Sequence, residues 1–247
     1  MKSQEIRKKF INFFAKRGHN HQPAAFLIPE NDPTVLFTSA GMQQFKDFYI
    51  YPENAPATKV TSVQPCFRTS DIEEVGDTSH LTLVEMLGNF SFSDYFKHDA
   101  IKWAYEYIFD ILKLPMSRVY VTVFRGDKQT LLDDESIKIW RELGIPDKKI
   151  KMGDREDNFW GPTGDQGPCG PTTEIYVDGY EVWNIVFNEY YQDKNGKCAK
   201  LAKPGVDTGA GLERLTAVMQ KKKSVYETDL FSSVYQKVGQ LATKKNL

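Results

Sequence analysis

The sequence predicts an α+β fold built on a largely antiparallel β-sheet. Three observations carry that prediction. Two apolar runs, at 173–177 and 181–191, are joined by Asp178-Gly179, a two-residue hairpin signal. Two more, at 59–68 and 81–92, flank a polar, turn-rich stretch, the pattern of an antiparallel pair with a long loop. Helical periodicity is inserted between such pairs rather than alternating regularly with single strands.

In chain order, the first element is a helix. Ser3 can cap it, Ile6, Phe10, Phe13 and Phe14 share one face, and Gly18 stops it. A polar, proline-marked stretch runs from 19 to 33, and 34–37 reads as a short strand. The segment 41–49 (GMQQFKDFY) fits a helical or an extended form equally. Residues 59–68 form a strand, 69–79 a polar loop, and 81–92 a second strand region interrupted by Gly88 and Asn89. A helix is expected over 99–114, with Ile101, Ala104, Ile108 and Leu112 inward. Val119, Val121 and Val123 alternate along a strand at 118–124. A short helix at 136–143 ends at Gly144 and Pro146. The GPTGDQGPCGP run at 161–171 reads as a loop of fixed backbone angles. After the hairpin, a glycine-rich strand-to-helix passage begins at Gly205, and its helix turns Leu212, Leu215 and Met219 toward the core. Lys221–Lys223 reads as a solvated helix end.

Composition excludes several classes. The 247 residues carry 32 basic and 33 acidic side chains, so a global nucleic-acid-binding charge is lacking. Three widely spaced cysteines, Cys66, Cys169 and Cys198, form no disulfide framework and read as reduced, cytosolic thiols. The charged N-terminus lacks the apolar run of a signal peptide, and no segment is apolar and long enough to span a membrane. His19, His21, His80 and His98 lack metal-ligand spacing, so no zinc is expected. Phosphate loops of the parallel-sheet kind, and nucleophile triads, are also missing.

Three clusters suit chemistry. Arg68, at a strand end before a polar loop, can bind phosphate bidentately. In Asp207-Thr208-Gly209-Ala210-Gly211-Leu212-Glu213-Arg214, small residues allow close approach to the backbone, and the helix start offers free N–H groups. In Trp183-Asn184-Ile185-Val186-Phe187, alternation sends Asn184 and Val186 to one face and Trp183, Ile185 and Phe187 to the other. Each also has an ordinary structural reading: a surface arginine, a tight turn, and a core asparagine bonded to backbone. Trp160 alone reads more readily as core than as pocket wall.

Taken together, RKKFINFFAKRGHNHQPAAFLIPENDPTVLFTSAGMQQFK, CFRTSDIEEVG, EMLGNFSFSDYFK, NFWGPTGDQGPCGPTTEIY, VWNIVF and VDTGAGLERL resemble the alanyl-tRNA synthetase family, in order and along nearly the whole chain. The resemblance implies a class II synthetase-like antiparallel sheet flanked by helices, with motif 1, within the opening segment 7–46, often forming a homodimer interface. It implies activation of L-alanine by ATP with Mg²⁺, then transfer to the acceptor stem of tRNA(Ala). It makes Arg68 and Arg214 catalytic, both on ATP, with His80, Trp160, Trp183 and Gly211 also at ATP. It places Met86, Trp160, Asn184, Val186, Asp207 and Gly209 around alanine, and Glu174 at magnesium. It further implies that 1–247 is the catalytic domain alone. The helical tRNA-recognition, editing and C-terminal domains are expected to be missing, as is the editing H-E-x-x-x-H pattern, so tRNA binding would be weak. Two departures stand out. The loop after Arg68 is several residues short, and Leu81 and Leu83 or Val84 replace a histidine and an aromatic expected near ATP, which implies weaker ATP binding. A paralogue loading another acceptor, or a non-catalytic binding module, are the competing readings. Retention of Arg68, Asn184, Asp207 and Arg214 favours the enzyme.

Overall fold

The computed structural model describes residues 1–29, 35–70, 72–162 and 164–245, with side chains as far as 242. Helix α1 (Ser3–Ala15) leads into β1 (Asn20–His21), a 3₁₀-helical segment (Gln43–Tyr49), β2 (Lys59–Phe67) and β3 (Leu83–Phe92). Helix α2 (Lys97–Glu106), β4 (Val119–Phe124), α3 (Asp134–Glu142), β5 (Ile150–Gly153), α4 (Arg155–Asn158) and β6 (Phe159–Trp160) follow. The chain continues through β7 (Gly167–Val177), β8 (Tyr180–Gln192), β9 (Cys198–Gly211), α5 (Leu212–Gln220) and α6 (Ser232–Lys245). The sheet order is β1-β2-β3-β9-β8-β7-β4-β5, with β6 beside β7. The pairings are antiparallel except β1 with β2 and β4 with β5, each parallel.

The α+β expectation holds, and both strand pairs form. The hairpin turns where expected, with Asp178 at φ 52° and Gly179 at φ 90°, the left-handed pair that such a turn requires. Several local expectations change. Residues 35–37 are bends rather than strand, with Leu36 85% exposed, while Thr34 lies outside the described residues. Gly88 and Asn89 do not interrupt β3, because Asn89 finds its partners in the core and Gly88 fits beneath the Phe90 ring. The 99–114 helix is α2 followed by one wide turn, Tyr107–Ile111. Half of the Gly/Pro-rich run is the start of β7, paired with β6 and β8. Strand β5 and helix α6 lack a signal strong enough to be read from the sequence.

One sheet face is dry. On it, Phe10 and Phe14 of α1 meet Trp183 at ring separations of 5.4 and 6.2 Å, and Tyr107 stands perpendicular to Trp183 at 5.6 Å. Leu87, Ile185, Phe187, Val206 and Leu215 complete this main core. A directional polar chain crosses it. Burial pushes His19 down to about 4, so the ring is neutral. Its Nδ1–H donates to the Phe14 carbonyl, and Nε2 accepts from the Tyr95 hydroxyl, both at 3.1 Å. The Tyr95 oxygen accepts from Asn89 Nδ2 at 2.8 Å, and Asn89 Oδ1 accepts from Thr208 Oγ1 at 2.7 Å. Every member is thus satisfied, and β9 is tied to β3 beside Asp207.

At the edge of the core, Lys97 is 5% exposed and its ammonium bridges Asp133 (2.8 Å) and Glu189, joining α2, the start of α3 and β8. Removing this cation leaves two carboxylates facing each other in a desolvated site. Lys97→Ala is therefore expected to lower stability by about 3 kcal/mol, a drop of roughly 6–12 °C in Tm. A thermal melt of the variant checks this.

Candidate active site

The opposite face of the sheet carries a cleft of about 210 Å³. That is small beside the roughly 300–1,000 Å³ of pockets enclosing a drug-sized ligand, so only part of a nucleotide could be enclosed. Four strands build its floor through their register. Asn184 lies opposite Gly209, Val186 opposite Asp207, Met86 opposite Gly211, and Glu174 opposite Asn184. Strand alternation then puts Met86, Asn184, Val186 and Asp207 on one face, while Trp183, Ile185 and Phe187 enter the core behind them. A Cβ on Gly209 would meet only Met86 Sδ, at 3.5 Å, so its missing side chain leaves free space on the cleft floor. The segment at 40–41 covers one side, and β6 brings Trp160 to the rim through its pairing with Gly170.

The electrostatics are polarised. Asp207 is 6% exposed, and among the described residues nothing hydrogen-bonds its carboxylate. Burial pushes it up to about 7, and Arg68 pulls the other way. Asn184 Oδ1 is likewise buried and without a partner, while its Nδ2 donates to Glu174 at 3.0 Å. Two unpaired acceptors on one floor form a receptor for a compact multi-donor cation. Arg68 stands at the cleft with its Nε donating to the Ser39 carbonyl at 2.9 Å, and among the described residues its terminal guanidinium nitrogens show no partner. Arg214 lies one turn into α5, its Nη1 donating to Glu181 Oε2 at 2.9 Å and to the Glu181 carbonyl at 3.1 Å.

The expected residues come together with two exceptions. Arg68, His80, Met86, Trp160, Asn184, Val186, Asp207, Gly209, Gly211 and Arg214 all line the cleft. Trp183 does not. It is 1% exposed on the dry face, where the same alternation that exposes Asn184 must send it. Glu174 sits beside Asn184 on the neighbouring strand and is outside the cleft lining. Its Oε1 accepts from Asn184, and its Oε2 accepts from Thr122 Oγ1 (3.1 Å) and the Tyr176 hydroxyl (2.9 Å). With both oxygens committed to protein donors, it does not fit a magnesium ligand. Among the described residues no group of three or more His, Cys, Asp or Glu is arranged to hold a metal ion. His80 reaches the cleft with both ring nitrogens engaged, Nδ1 with Asp77 (2.7 Å) and Nε2 with Glu74 (3.1 Å).

Sequence reasoning missed Glu181 and Glu213, which also line the cleft. Simple alternation from Trp183 sends Glu181 into the core. A β-bulge at Val182 reverses it: Ile175 pairs Trp183, but the next residue, Tyr176, pairs Glu181. Glu213 accepts the Glu85 backbone N–H at 3.0 Å, and burial pushes its carboxyl up to about 7. Arg7 of α1 grips the Glu85 carboxylate with two donors, so α1, β3 and the start of α5 are locked together under the cleft.

The Asp207 carboxyl titrates near 7 when folded and near 3.8 in an unfolded chain. A raised folded value means that its stabilising contribution is present below about 3.8 and lost as pH rises through 7. Asp207→Asn should therefore raise the ligand-free Tm at pH 8 by roughly 2–6 °C, on the order of 1–2 kcal/mol. The gain should shrink as pH falls toward 4. Melts across that range check the sign.

Comparison with known proteins gives the family. The family described as tRNA synthetases class II (A) matches residues 5–246. An alanine–tRNA ligase from Rubrobacter xylanophilus is 47% identical over 263 residues, covering 96% of this chain and 30% of that protein. One from Borreliella afzelii is 42% identical, covering 99% of this chain and 44% of that protein. The chain thus spans less than half the length of these relatives. Among solved structures, an aspartyl tRNA synthetase from Entamoeba histolytica aligns over 93% of this chain and 57% of its own, with TM-score 0.55 and 14% identity. A pyrrolysyl-tRNA synthetase from Desulfitobacterium hafniense aligns over 92% of this chain and 72% of its own, with TM-score 0.54 and 11% identity. Those two support the sheet architecture alone. With the family match running over nearly its whole length, the chain belongs to the class II tRNA synthetases.

Proposed function

We propose that this chain activates L-alanine with ATP, giving alanyl-adenylate and pyrophosphate, and passes the alanyl group to the 3′ end of tRNA(Ala). The observation that carries the reading is the pair of unpaired buried acceptors, Asp207 and Asn184 Oδ1, next to a short apolar wall of Met86 and Val186. An α-ammonium supplies the donors that both acceptors lack. The wall, with Trp160, leaves room for a methyl group. The names of the relatives, alanine–tRNA ligases, point the same way.

In this reading the alanine carboxylate attacks the α-phosphorus of ATP in line. A carboxylate–phosphorus bond forms, the bond to the bridging oxygen breaks, and pyrophosphate leaves. Arg68 spans the carboxylate and the α-phosphate and offsets the charge gathering on the phosphorus oxygens. Arg214, held by Glu181, lies against the nucleotide. No protein nucleophile is needed; catalysis comes from positioning and charge neutralisation. Magnesium enters with ATP as part of that substrate, screening its polyphosphate. In the second step a terminal hydroxyl of the tRNA attacks the alanyl carbonyl, and AMP leaves. The exposed apolar side chains of Phe26, Ile28 and Leu36, in the motif 1 region, are where we place a homodimer contact. The reading puts the protein in the cytoplasm, where tRNA is charged.

Alanine-dependent ATP–pyrophosphate exchange tests the reading, with glycine, serine and no amino acid as controls. Exchange with alanine is expected, with kcat/KM falling as pH drops through about 7, because only the ionised Asp207 holds an ammonium. Asp207→Asn should lower kcat/KM by about 100-fold. Serine should also support exchange, since an apolar pocket rejects one added hydroxyl only weakly. A folded protein that supports no exchange with any of these amino acids would move the reading to the binding module.

The structure also separates the substituted positions near ATP. Leu83 is 53% exposed and away from the cleft, whereas Val84 lines it. Leu81 lines it too but is 8% exposed and packs on Ala217 and Val225. Val84→Phe is expected to tighten ATP binding by about 3–10-fold through base stacking, measured as a dissociation constant. Leu81→His should lower Tm.

A further inference from the structure

We infer that Glu174 is a positioning residue for the amino-acid subsite: its carboxylate fixes the Asn184 amide so that the carbonyl oxygen, not the NH₂, faces the bound ammonium. This rests on the adenylation reading above. Glu174 and Asn184 are direct cross-strand partners on β7 and β8. Glu174 is 6% exposed and takes no place in the cleft wall. Its Oε2 is held by Thr122 Oγ1 and the Tyr176 hydroxyl, which leaves Oε1 aimed at Asn184. An ionised carboxylate can only accept hydrogen bonds. The amide must therefore turn its NH₂ toward Glu174 and its oxygen away. That oxygen is the buried acceptor without a protein partner.

The two ends of an amide are nearly the same shape and opposite in hydrogen-bonding sense. An ammonium has donors only, so an amide turned the other way presents donor to donor and repels it. Burial leaves no water to soften the mismatch. Glu174 thus sets the sign of a group that shape alone leaves undetermined. It does so from the neighbouring strand, outside the cleft lining.

The experiment is alanine-dependent ATP–pyrophosphate exchange at pH 8 with the full chain and the variants E174Q, N184D and E174Q/N184D, alongside thermal melts. Glu174→Gln keeps the shape but lets the new amide at position 174 donate, so the Asn184 amide can flip. It should raise KM for alanine by about tenfold or more while KM for ATP stays near the parent value. Asn184→Asp alone sets two carboxylates face to face and should also raise KM for alanine. In the double variant the amide now at position 174 donates to one oxygen of the carboxylate now at position 184, and the other oxygen accepts the ammonium. KM for alanine should then return to within about threefold of the parent. An E174Q enzyme with unchanged KM for alanine overturns the inference and leaves the adenylation reading standing. So does a double variant no better than N184D, and that comparison decides the matter if E174Q alone does not fold. A parent protein without alanine-dependent exchange overturns both.

Discussion

The register between β8 and β9 is the constraint on which the molecule depends. It sets Asn184 against Gly209 and Val186 against Asp207, so that acceptors, small wall and open floor meet at one place on one face. The same pairing fixes what lies behind. Trp183, Ile185 and Phe187 fill the main core against α1 and α2. Slipping one residue would bury the acceptors and expose the aromatics, so the packing of the dry face enforces the chemistry of the wet one. The Asn89–Thr208 bonds and the Arg7–Glu85–Glu213 contacts lock β3, β9 and α5 in the same alignment.

The cleft holds more negative charge than its surroundings satisfy. Burial pushes Asp207 and Glu213 in the cleft, and Glu174 beside it, each up to about 7. Two arginines are present, and one of them already engages Glu181. Such a site is costly to fold and well suited to bind: the acceptors that lack partners in the free protein are those to which the ammonium of an amino acid can donate. Stability and recognition draw on the same carboxylates with opposite sign.

Much of this is legible in the sequence, for physical reasons. Strand alternation through Trp183-Asn184-Ile185-Val186-Phe187 is local, and it sorts core from cleft as the structure does. Trp183 goes to ATP only where the family resemblance overrides that alternation. Asp178-Gly179 marks its turn because few residues accept two left-handed conformations in succession. What stays hidden is non-local. Glu181 reaches the cleft through a bulge, which is a relation between two strands and has no trace in either alone. Glu174 has its role through Thr122, Tyr176 and Asn184, spread over three strands with its own. The start of β7 is obscured by glycines and prolines that look like a loop but pair with β6 and β8.

The extra residue at Val182 has a consequence for how this strand can change. Below it the chain counts in one phase and above it in the other, so Glu181 and Asn184 share a face although three positions separate them. A one-codon deletion there would remove the bulge and restore plain alternation, so Glu181, then two positions from Asn184, would keep its face and its bond to Arg214. The loss would fall on the dry face, where Val182 is buried. The strand can give up this residue from the core without moving the carboxylate that aims Arg214.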